Sequence, residues 1–440
     1  MRVGIDDTDS PRGGCTTWAL TELARLARDD GLDLIGAPHL VRLNPNIPWK
    51  TRGNAALSMR LGHGLGTPTA VGELDGRPVL AYRRGREPDP DEAARYVEEA
   101  RRTVTRLAPR DRGTDPALVV TPGPLPSSLY WTAVRDRTTL GKVEPVLRRA
   151  GATTWVRSGR RGLIGASAAI AWPARRATWE LIAYRRPAAW GTSRRVDAAT
   201  VLAAQRAWPE LFLCHDPRTR RLLVAPHTAC PILFGLRGTT PEAPRAALGR
   251  IRSEPVDRWM LFRTNQATGD HLVPRSVPAL RGYRAGWVRG SVDAPVSVLP
   301  GGHVRFDLRD RAGQRLVCLA FEPTKTLPDV ARALVAGDRL RVWGSRGPGG
   351  TLRLEGIEVL ALASPGRWRA PRCDRCAGRC RSLGSGRGWK CPRCRLRLPP
   401  ERAGWSPVPR TVAPGTYHPT PSARRHLAPR APETGPTPVF

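Results

Sequence analysis

Five of the nine cysteines crowd between Cys373 and Cys394, and four of them make two knuckles, Cys373-x2-Cys376 and Cys391-x2-Cys394, with 14 residues between. Two such pairs at this separation have the ligand types and spacing of a four-thiolate tetrahedral site, and zinc is the expected metal. Cys380 has no knuckle partner and is left out of the ligand set. A window this short cannot bury a core, so the metal would have to hold it folded. Residues 366–400 also carry eleven Lys/Arg against one Asp, with Trp368 and Trp389 interleaved. Basic charge beside flat rings suits single-stranded or looped RNA, which makes Trp389 and Lys390 candidate RNA contacts.

A second cluster lies at the other end of the chain. Asp6, Asp7 and Asp9 place three carboxylates within four residues, where they repel one another unless something positive sits among them. Mg2+ carrying nucleotide phosphates is one answer. The neighbouring Gly13 and Gly14 can expose backbone N–H groups to phosphate, and a following helix offers its N-terminus. The other reading is a solvated turn with an Asp cap, since Asp, Ser, Pro and Gly are ordinary turn residues. No Gly-x4-Gly-Lys-Ser/Thr occurs, which excludes a P-loop. Arg42, Asn44, Asn46, Lys50, Thr51, Arg52 and Asn54 fill one proline-stiffened loop with donors. That loop is either a clamp for phosphate or RNA or a plain exposed connection. Gly159, Gly162 and Gly165 form a glycine repeat of a kind that occurs widely. The eight histidines show no metal or nucleophile pairing, and no lone Ser or Cys suggests a hydrolase.

The elements that must position these groups follow from periodicity. Residues 1–5 read as a short buried strand and 17–30 as a helix with Trp18, Leu20, Leu23, Leu26 and Ala27 near one face, stopped at Gly31. The acidic loop is therefore a strand-to-helix connection. Residues 38–43 and 55–61 alternate as strands, 92–108 reads as an exposed helix, and 117–120 is another apolar segment. From 127 to about 251 strands and short helices mix as α+β. Residues 286–291, 303–308, 315–321, 339–344 and 352–360 read as five strands, with a helical piece at 330–335 between the third and fourth. That order is the order of an OB-fold, a generic β-barrel being the other reading. Beyond residue 394 there is no periodicity, only repeated Pro and Arg, which predicts a disordered cationic tail.

Composition bounds the function. With 440 residues, 72 Lys/Arg and 38 Asp/Glu, the formal charge is +34. So lopsided a balance points to a polyanionic partner. Residues 1–30 oppose the trend with six acids against four Arg, so those acids need a local reason. The longest weakly polar stretch, residues 163–172, is too short to span a bilayer, and the start has no signal-peptide core. An intracellular, cytoplasmic protein that binds nucleic acid and has no membrane role is expected, its oligomeric state unspecified.

Taken together, Gly4-Ile-Asp-Asp-Thr-Asp-Ser10, Gly13-Gly-Cys-Thr-Thr17 and above all Pro38-His-Leu-Val-Arg-Leu-Asn-Pro-Asn-Ile-Pro-Trp-Lys-Thr-Arg-Gly-Asn54 closely resemble the archaeal isoleucine-tRNA 2-agmatinylcytidine synthetase (TiaS) family. So do Gly162-Leu-Ile-Gly-Ala166, Glu180-Leu-Ile-Ala-Tyr-Arg185, Trp190-Gly-Thr192, Cys230-Pro-Ile-Leu-Phe-Gly-Leu-Arg237 and Gly301-Gly-His-Val. The resemblance covers residue 1 to about 394. It implies an α+β multidomain chain: a kinase-like α/β catalytic domain at 1–126, a ferredoxin-like α+β domain at 127–270, a tRNA-binding OB-fold barrel at 276–364 and a zinc ribbon at 366–398; the Pro/Arg-rich tail at 399–440, expected to be disordered from its composition, does not align to the family. It implies an ATP-dependent ligase that joins agmatine to C2 of the wobble cytidine in a CAU-anticodon isoleucine tRNA, so that AUA is read, with ATP consumed to AMP and phosphates. The implied cofactors are ATP, Mg2+ and Zn2+.

In that scheme Asp6, Asp7 and Asp9 are catalytic, with Asp6 and Asp7 holding magnesium. Thr16 or Thr17 accepts a phosphoryl group. Gly13, Gly14, Lys50 and Arg52 hold ATP or phosphate, and Arg42, Asn44, Asn46, Trp389 and Lys390 meet tRNA. The agmatine guanidinium needs a carboxylate, for which Asp197 and Asp216 are candidates that the sequence does not separate. Two rivals stand beside this scheme: a non-catalytic RNA-binding factor, and the same scaffold acting on another amine or RNA.

Overall fold

The computed structural model describes residues 1–10, 12–50, 53–111, 113–347 and 349–430, the side chains of Arg367, Trp368 and Trp405 excepted. Thr51 and Arg52 of the donor-rich loop, the Trp368 side chain and residues 431–440 lie outside the described residues.

The first strand, Arg2–Asp6, forms because Val3, Gly4 and Ile5 are buried between two neighbours. It pairs antiparallel with Ala117–Thr121 on one side and with Ala55–Leu65 on the other. Among the described residues these belong to a sheet of thirteen strands, which continues through Val256–Thr264 to Thr178–Arg185 and Ile232–Gly238. The sheet does not stop at residue 126: Thr153–Val156 extends it beside Ala117–Thr121.

Three helices explain how the sheet is covered. Thr16–Asp29 buries Trp18, Leu20, Leu23, Ala24 and Ala27, and the chain turns away through Gly31 at φ +77, a conformation that glycine adopts without a Cβ penalty. Pro90–Leu107 starts in a capping box, in which the Asp89 carboxylate accepts the Glu92 N–H and the Glu92 carboxylate accepts the Asp89 N–H. That helix buries one narrow stripe, Tyr96, Ala100, Thr103 and Val104, and leaves its Glu/Arg face to solvent. Gly162–Ile170 is different: eight of its nine residues are buried, as an apolar helix without a polar face must be. It lies on Arg2–Asp6 so closely that a Cβ on Gly4 would meet the Ala166 carbonyl oxygen.

The second body is a barrel. Ala285–Val292 pairs with Val304–Arg309 and with Arg339–Arg346, Val304–Arg309 pairs with Arg315–Ala320, and Leu352–Ala361 closes the circuit between Arg315–Ala320 and Arg339–Arg346. Helix Thr326–Arg332 falls between the third and fourth of these five strands, the place the sequence predicts, though it begins four residues before the expected 330–335 and ends three residues before it does. Phe306, Leu316, Leu340, Val342 and Ile357 fill the interior. A small three-stranded sheet, Arg381–Ser382, Trp389–Lys390 and Arg397–Leu398, carries the cysteine knuckles.

The expected disordered tail is corrected for residues 399–430, which are ordered. Gly404–Pro407 pairs with Gly366–Arg369, and Gly415–Tyr417 adds a strand to the barrel against Ile357–Val359. Val412 and Tyr417 enter the barrel core and Leu427 enters the core beneath helix Gly162–Ile170. Arg410, one of the arginines read as tail charge, instead makes a two-pronged ion pair with the fully buried Asp338, at 2.9 and 2.6 Å. Single apolar insertions between prolines leave no period in the sequence, which is why the segment reads as unstructured.

Candidate active site

The acidic cluster sits where strand Arg2–Asp6 ends. Asp6 is the last strand residue and its Oδ1 accepts the Asp7 N–H at 2.8 Å. Asp7 turns the chain in the left-handed region, φ +56, a costly conformation for a non-glycine residue that Asp tolerates better than most. Its Oδ2 accepts the N–H of Asp115, 108 residues away, at 2.8 Å. Asp115 is tied down in turn: its carboxylate accepts Gly159 N–H at 3.0 Å, Ser158 Oγ at 3.2 Å and Arg161 Nε at 2.7 Å.

The glycine repeat is what lets these groups meet. A Cβ on Gly165 would fall on the Asp6 carboxylate, one on Gly159 on the Asp115 carboxylate, and one on Gly162 on the Asp115 carbonyl oxygen. The repeat therefore marks a close approach of helix Gly162–Ile170 to the acidic turn.

Crowding carboxylates away from water disfavours their charged form. Burial, with Asp7 beside it, pushes the Asp6 carboxyl well above the usual carboxylate range. Burial likewise raises Asp7 to about 6, against the opposing N–H of Asp115. The donor set is hard oxygen. Among the described residues, however, three carboxylates do not converge as the four thiols do, so a cation here would draw its remaining ligands from phosphate or water. That is the habit of magnesium, and Asp6 and Asp7 fit it.

Asp6, Asp7, Asp9, Thr16, Thr17, Arg42 and Lys50 all line one cavity of about 910 Å³. Thr16 and Thr17 open helix Thr16–Asp29, and Thr17 Oγ1 lies 3.0 Å from Cys15 Sγ. Gly13 and Gly14 do not line the cavity; they pair with Ser10 and Asp9 in a two-stranded turn behind it. Gly14, at φ +75, has no room for a Cβ against Pro109 and the Thr8 carbonyl. The Lys50 ammonium donates to the Pro45 carbonyl, and burial, Arg425 and Arg353 lower its pKa.

Other expected contacts fall elsewhere. Asn44 is fully buried: its amide donates to the carbonyls of Asp136 and Tyr283 at 3.1 and 2.9 Å, so it knots the loop down instead of meeting RNA. Asn46 accepts Ser345 Oγ of the barrel at 2.7 Å and donates to Asn44. Asp197 caps helix Ala198–Ala207 and Asp216 accepts the N–H groups of Arg218, Thr219 and Ser422; neither lines the cavity.

Glu180 does line it, as Asp136 and the acidic turn do, and it lies directly across a strand pair from Arg237. Arg237 Nε donates to it at 3.1 Å, Arg42 stands 3.8 Å away, and Gln266 donates to its other oxygen. Sequence reasoning found Glu180 and Arg237 only as parts of resembling segments, and it missed Asp115, Arg161, Gln266 and His426. The cross-strand register alone pairs the first two; nothing local signals the others.

In the ribbon, Cys373, Cys376, Cys391 and Cys394 bring their sulfurs within 4.8 Å of one another, with Cys373–Cys394 at 3.3 Å and Cys376–Cys391 at 3.4 Å. A zinc tetrahedron with ~2.3 Å bonds has sulfurs about 3.8 Å apart, so the four fit. N–H groups of Cys394 and Arg393 bring the Cys391 thiol down to about 6, toward the thiolate a metal needs. Cys380 is buried nearby but outside the set. Trp389 packs on this cluster and its indole N–H donates to the Pro400 carbonyl at 3.4 Å; Lys390 is half-buried beside it.

Residues 2–158 match the TiaS TCKD domain and residues 160–271 the TiaS FLD domain. The chain is 36% identical over 436 residues to the isoleucine-tRNA 2-agmatinylcytidine synthetase TiaS of Methanosarcina mazei, covering 97% of this chain and 96% of that protein. It is 35% identical over 432 residues to that of Archaeoglobus fulgidus, with the same coverage. A crystal structure of TiaS with its isoleucine tRNA and ATP superposes with a TM-score of 0.82 at 33% identity, over 97% of this chain and 95% of that one. One with tRNA, AMPCPP and agmatine gives 0.79 at 31%, over 97% and 96%. On identity and coverage that run through every part of the fold, this chain belongs to the TiaS family.

Proposed function

We infer that this protein is a tRNA-modifying ligase that uses ATP to join agmatine to C2 of the wobble cytidine in a CAU-anticodon isoleucine tRNA. The observation that carries the reading is the one cavity in which the acidic turn, the two threonines and the Arg42–Lys50 loop meet, in a chain that matches a named synthetase over 96% of its length. A substrate that is tRNA puts the enzyme in the cytoplasm. Among the described residues no helix is long and apolar enough to cross a membrane.

The chemistry asks for activation before substitution. The C2 oxygen of cytosine is a poor leaving group, and phosphorylation turns it into one that an amine displaces. When bound, Mg2+ neutralises phosphate charge. Asp6 and Asp7 would hold it, with Asp9 adding negative charge at the same end of the cavity. Thr16 or Thr17 accepts a phosphoryl group at the mouth of the first helix, where unpaired N–H groups favour an anion. Arg42 and Lys50 face the same space and suit phosphate or the extruded base. Asp197 and Asp216 do not line the cavity, and Glu180, which does, is already held by Arg237 and Gln266 and faces Arg42. The barrel, read as an OB-fold, and the zinc-held ribbon with Trp389 and Lys390 supply tRNA contacts by charge and shape.

The test incubates the protein with ATP, agmatine and the tRNA transcript, omitting one at a time, and examines digested nucleosides by mass spectrometry. Agmatinylated cytidine only in the complete mixture establishes the reading. ATP turnover without product moves the assignment to another amine or RNA, and tRNA binding without turnover to a plain RNA-binding factor.

A further inference from the structure

The last described residues leave the ribbon, cross the barrel and end against the cavity. After the strand Gly415–Tyr417 on the barrel, the Ser422 N–H is accepted by Asp216 at 3.0 Å. The carbonyls of His426 and Leu427 then accept the N–H groups of Ala267 and Gly269, at 2.8 and 2.9 Å. The Leu427 side chain is buried in the core under the catalytic sheet. His426 is exposed, and it lines the cavity.

Its ring has a defined partner. His426 Nδ1 is 3.1 Å from Gln266 Oε1. The Gln266 amide nitrogen donates to Glu180, so its oxygen is the acceptor and His426 Nδ1 carries the proton. Arg42, burial and Arg237 hold the ring neutral, which leaves Nδ1 its single N–H. Gln266 is 1% exposed, so no water replaces either bond at low cost. Beyond Gln266 stands Glu180, which takes Arg237 at 3.1 Å and faces Arg42 at 3.8 Å. Arg42 Nε has no hydrogen-bond partner, so the direction of this guanidinium depends on Glu180 and on the space left to it. A side chain at Gly53 would meet both Arg42 and His426, which puts these two residues on the same side of the donor-rich loop.

We propose that residues 413–430 are a working part of the cavity and that His426 is their positioning residue, seating Gln266 and through it the Glu180 carboxylate against Arg42 and Arg237. The proposal deepens the synthetase reading and rests on it for its kinetic consequence. It also accounts for the path of the chain between the RNA-binding modules and the cavity, because the segment that leaves the ribbon finishes the wall in which Arg42 and Glu180 stand.

The test uses the full chain with His426→Ala, His426→Asn and His426→Gln. Asn places an N–H where Nδ1 stands and Gln places one where Nε2 stands, so the two separate the buried bond from the cavity-facing nitrogen. Expected is a 10- to 100-fold loss of kcat in the Ala and Gln variants, of the order seen when a supporting hydrogen bond behind a site is lost. KM for tRNA and the melting temperature should be nearly unchanged, and activity within about threefold of wild type should return in the Asn variant. Full activity in all three variants, or activity kept by Gln and lost by Asn, overturns the proposal. Hydrogen exchange at the Ala267 and Gly269 amides decides the seating independently of product formation: protected in wild type and Asn, faster in Ala and Gln. Equal protection throughout overturns it even if the wild-type chain makes no agmatinylated cytidine, a result that by itself would count only against the synthetase reading.

Discussion

Replacing Asp7 by Asn should stabilise the substrate-free protein while abolishing its chemistry. In the fold Asp7 ionises at about 6, against an ordinary value of 3.8, because burial opposes its charge. A carboxyl whose pKa is raised on folding favours the native state while protonated, so stability falls as pH climbs from about 4 to about 6 and is level above. The gap corresponds to about 3 kcal/mol lost above pH 6. Because Asp6 and Asp9 share the strain, that figure is a ceiling for one residue. Asn keeps an oxygen for the Asp115 N–H, tolerates φ +56, and carries no charge to desolvate. The variant should therefore melt like wild type near pH 4 and up to about 6 to 12 °C higher at pH 8, taking 2 to 4 °C per kcal/mol for a domain of this size. ATP consumption should vanish while tRNA affinity stays within a few fold. Thermal scans at both pH values with and without Mg2+ check this, and Mg2+ with nucleotide should stabilise wild type more than the variant. An equal gain at pH 4 and pH 8, or a loss at pH 8, would show that Asp7 is not held at an energetic cost and refute the argument.

Gly165→Ala drives a methyl group onto the Asp6 carboxylate; it should lower stability by about 1 to 3 kcal/mol and activity by a much larger factor, read from melting curves beside turnover. Cys373→Ser should lose bound zinc and weaken tRNA binding, and unchanged zinc content by elemental analysis would contradict the ligand set. Arg185→Met leaves Glu254 without the buried partner it holds at 2.6 Å and should destabilise the fold by about 3 to 5 kcal/mol in denaturant titration. Asn44→Ala unfastens the donor-rich loop from the Asp136 and Tyr283 carbonyls, costing about 1 to 3 kcal/mol, with loss of activity exceeding loss of tRNA affinity in a binding assay.

What was legible in the sequence is what short range determines. Two cysteine knuckles close on one centre because a few residues of turn geometry suffice. Alternation and helical stripes placed the barrel strands and the first strand and helix, since the faces they bury are set by periods of 2 and 3.6. Three neighbouring carboxylates announced a charge problem before any partner was visible. Only the tertiary structure decided which distant groups answer it. Asp115 meets Asp7 because the antiparallel register puts Ala117 opposite Asp6, and Glu180 meets Arg237 for the same reason on another strand pair. The glycine repeat gained meaning only when helix Gly162–Ile170 was seen lying on the acidic turn. Asn44 reads as a donor for RNA until its buried carbonyl partners are known. Residues 399–430 read as disordered because their order comes from pairing and single insertions into cores built by other parts of the chain. Their backbone groups find partners more than 150 residues away in sequence, as the bonds of the His426 and Leu427 carbonyls to Ala267 and Gly269 show, and no local pattern encodes such a seat.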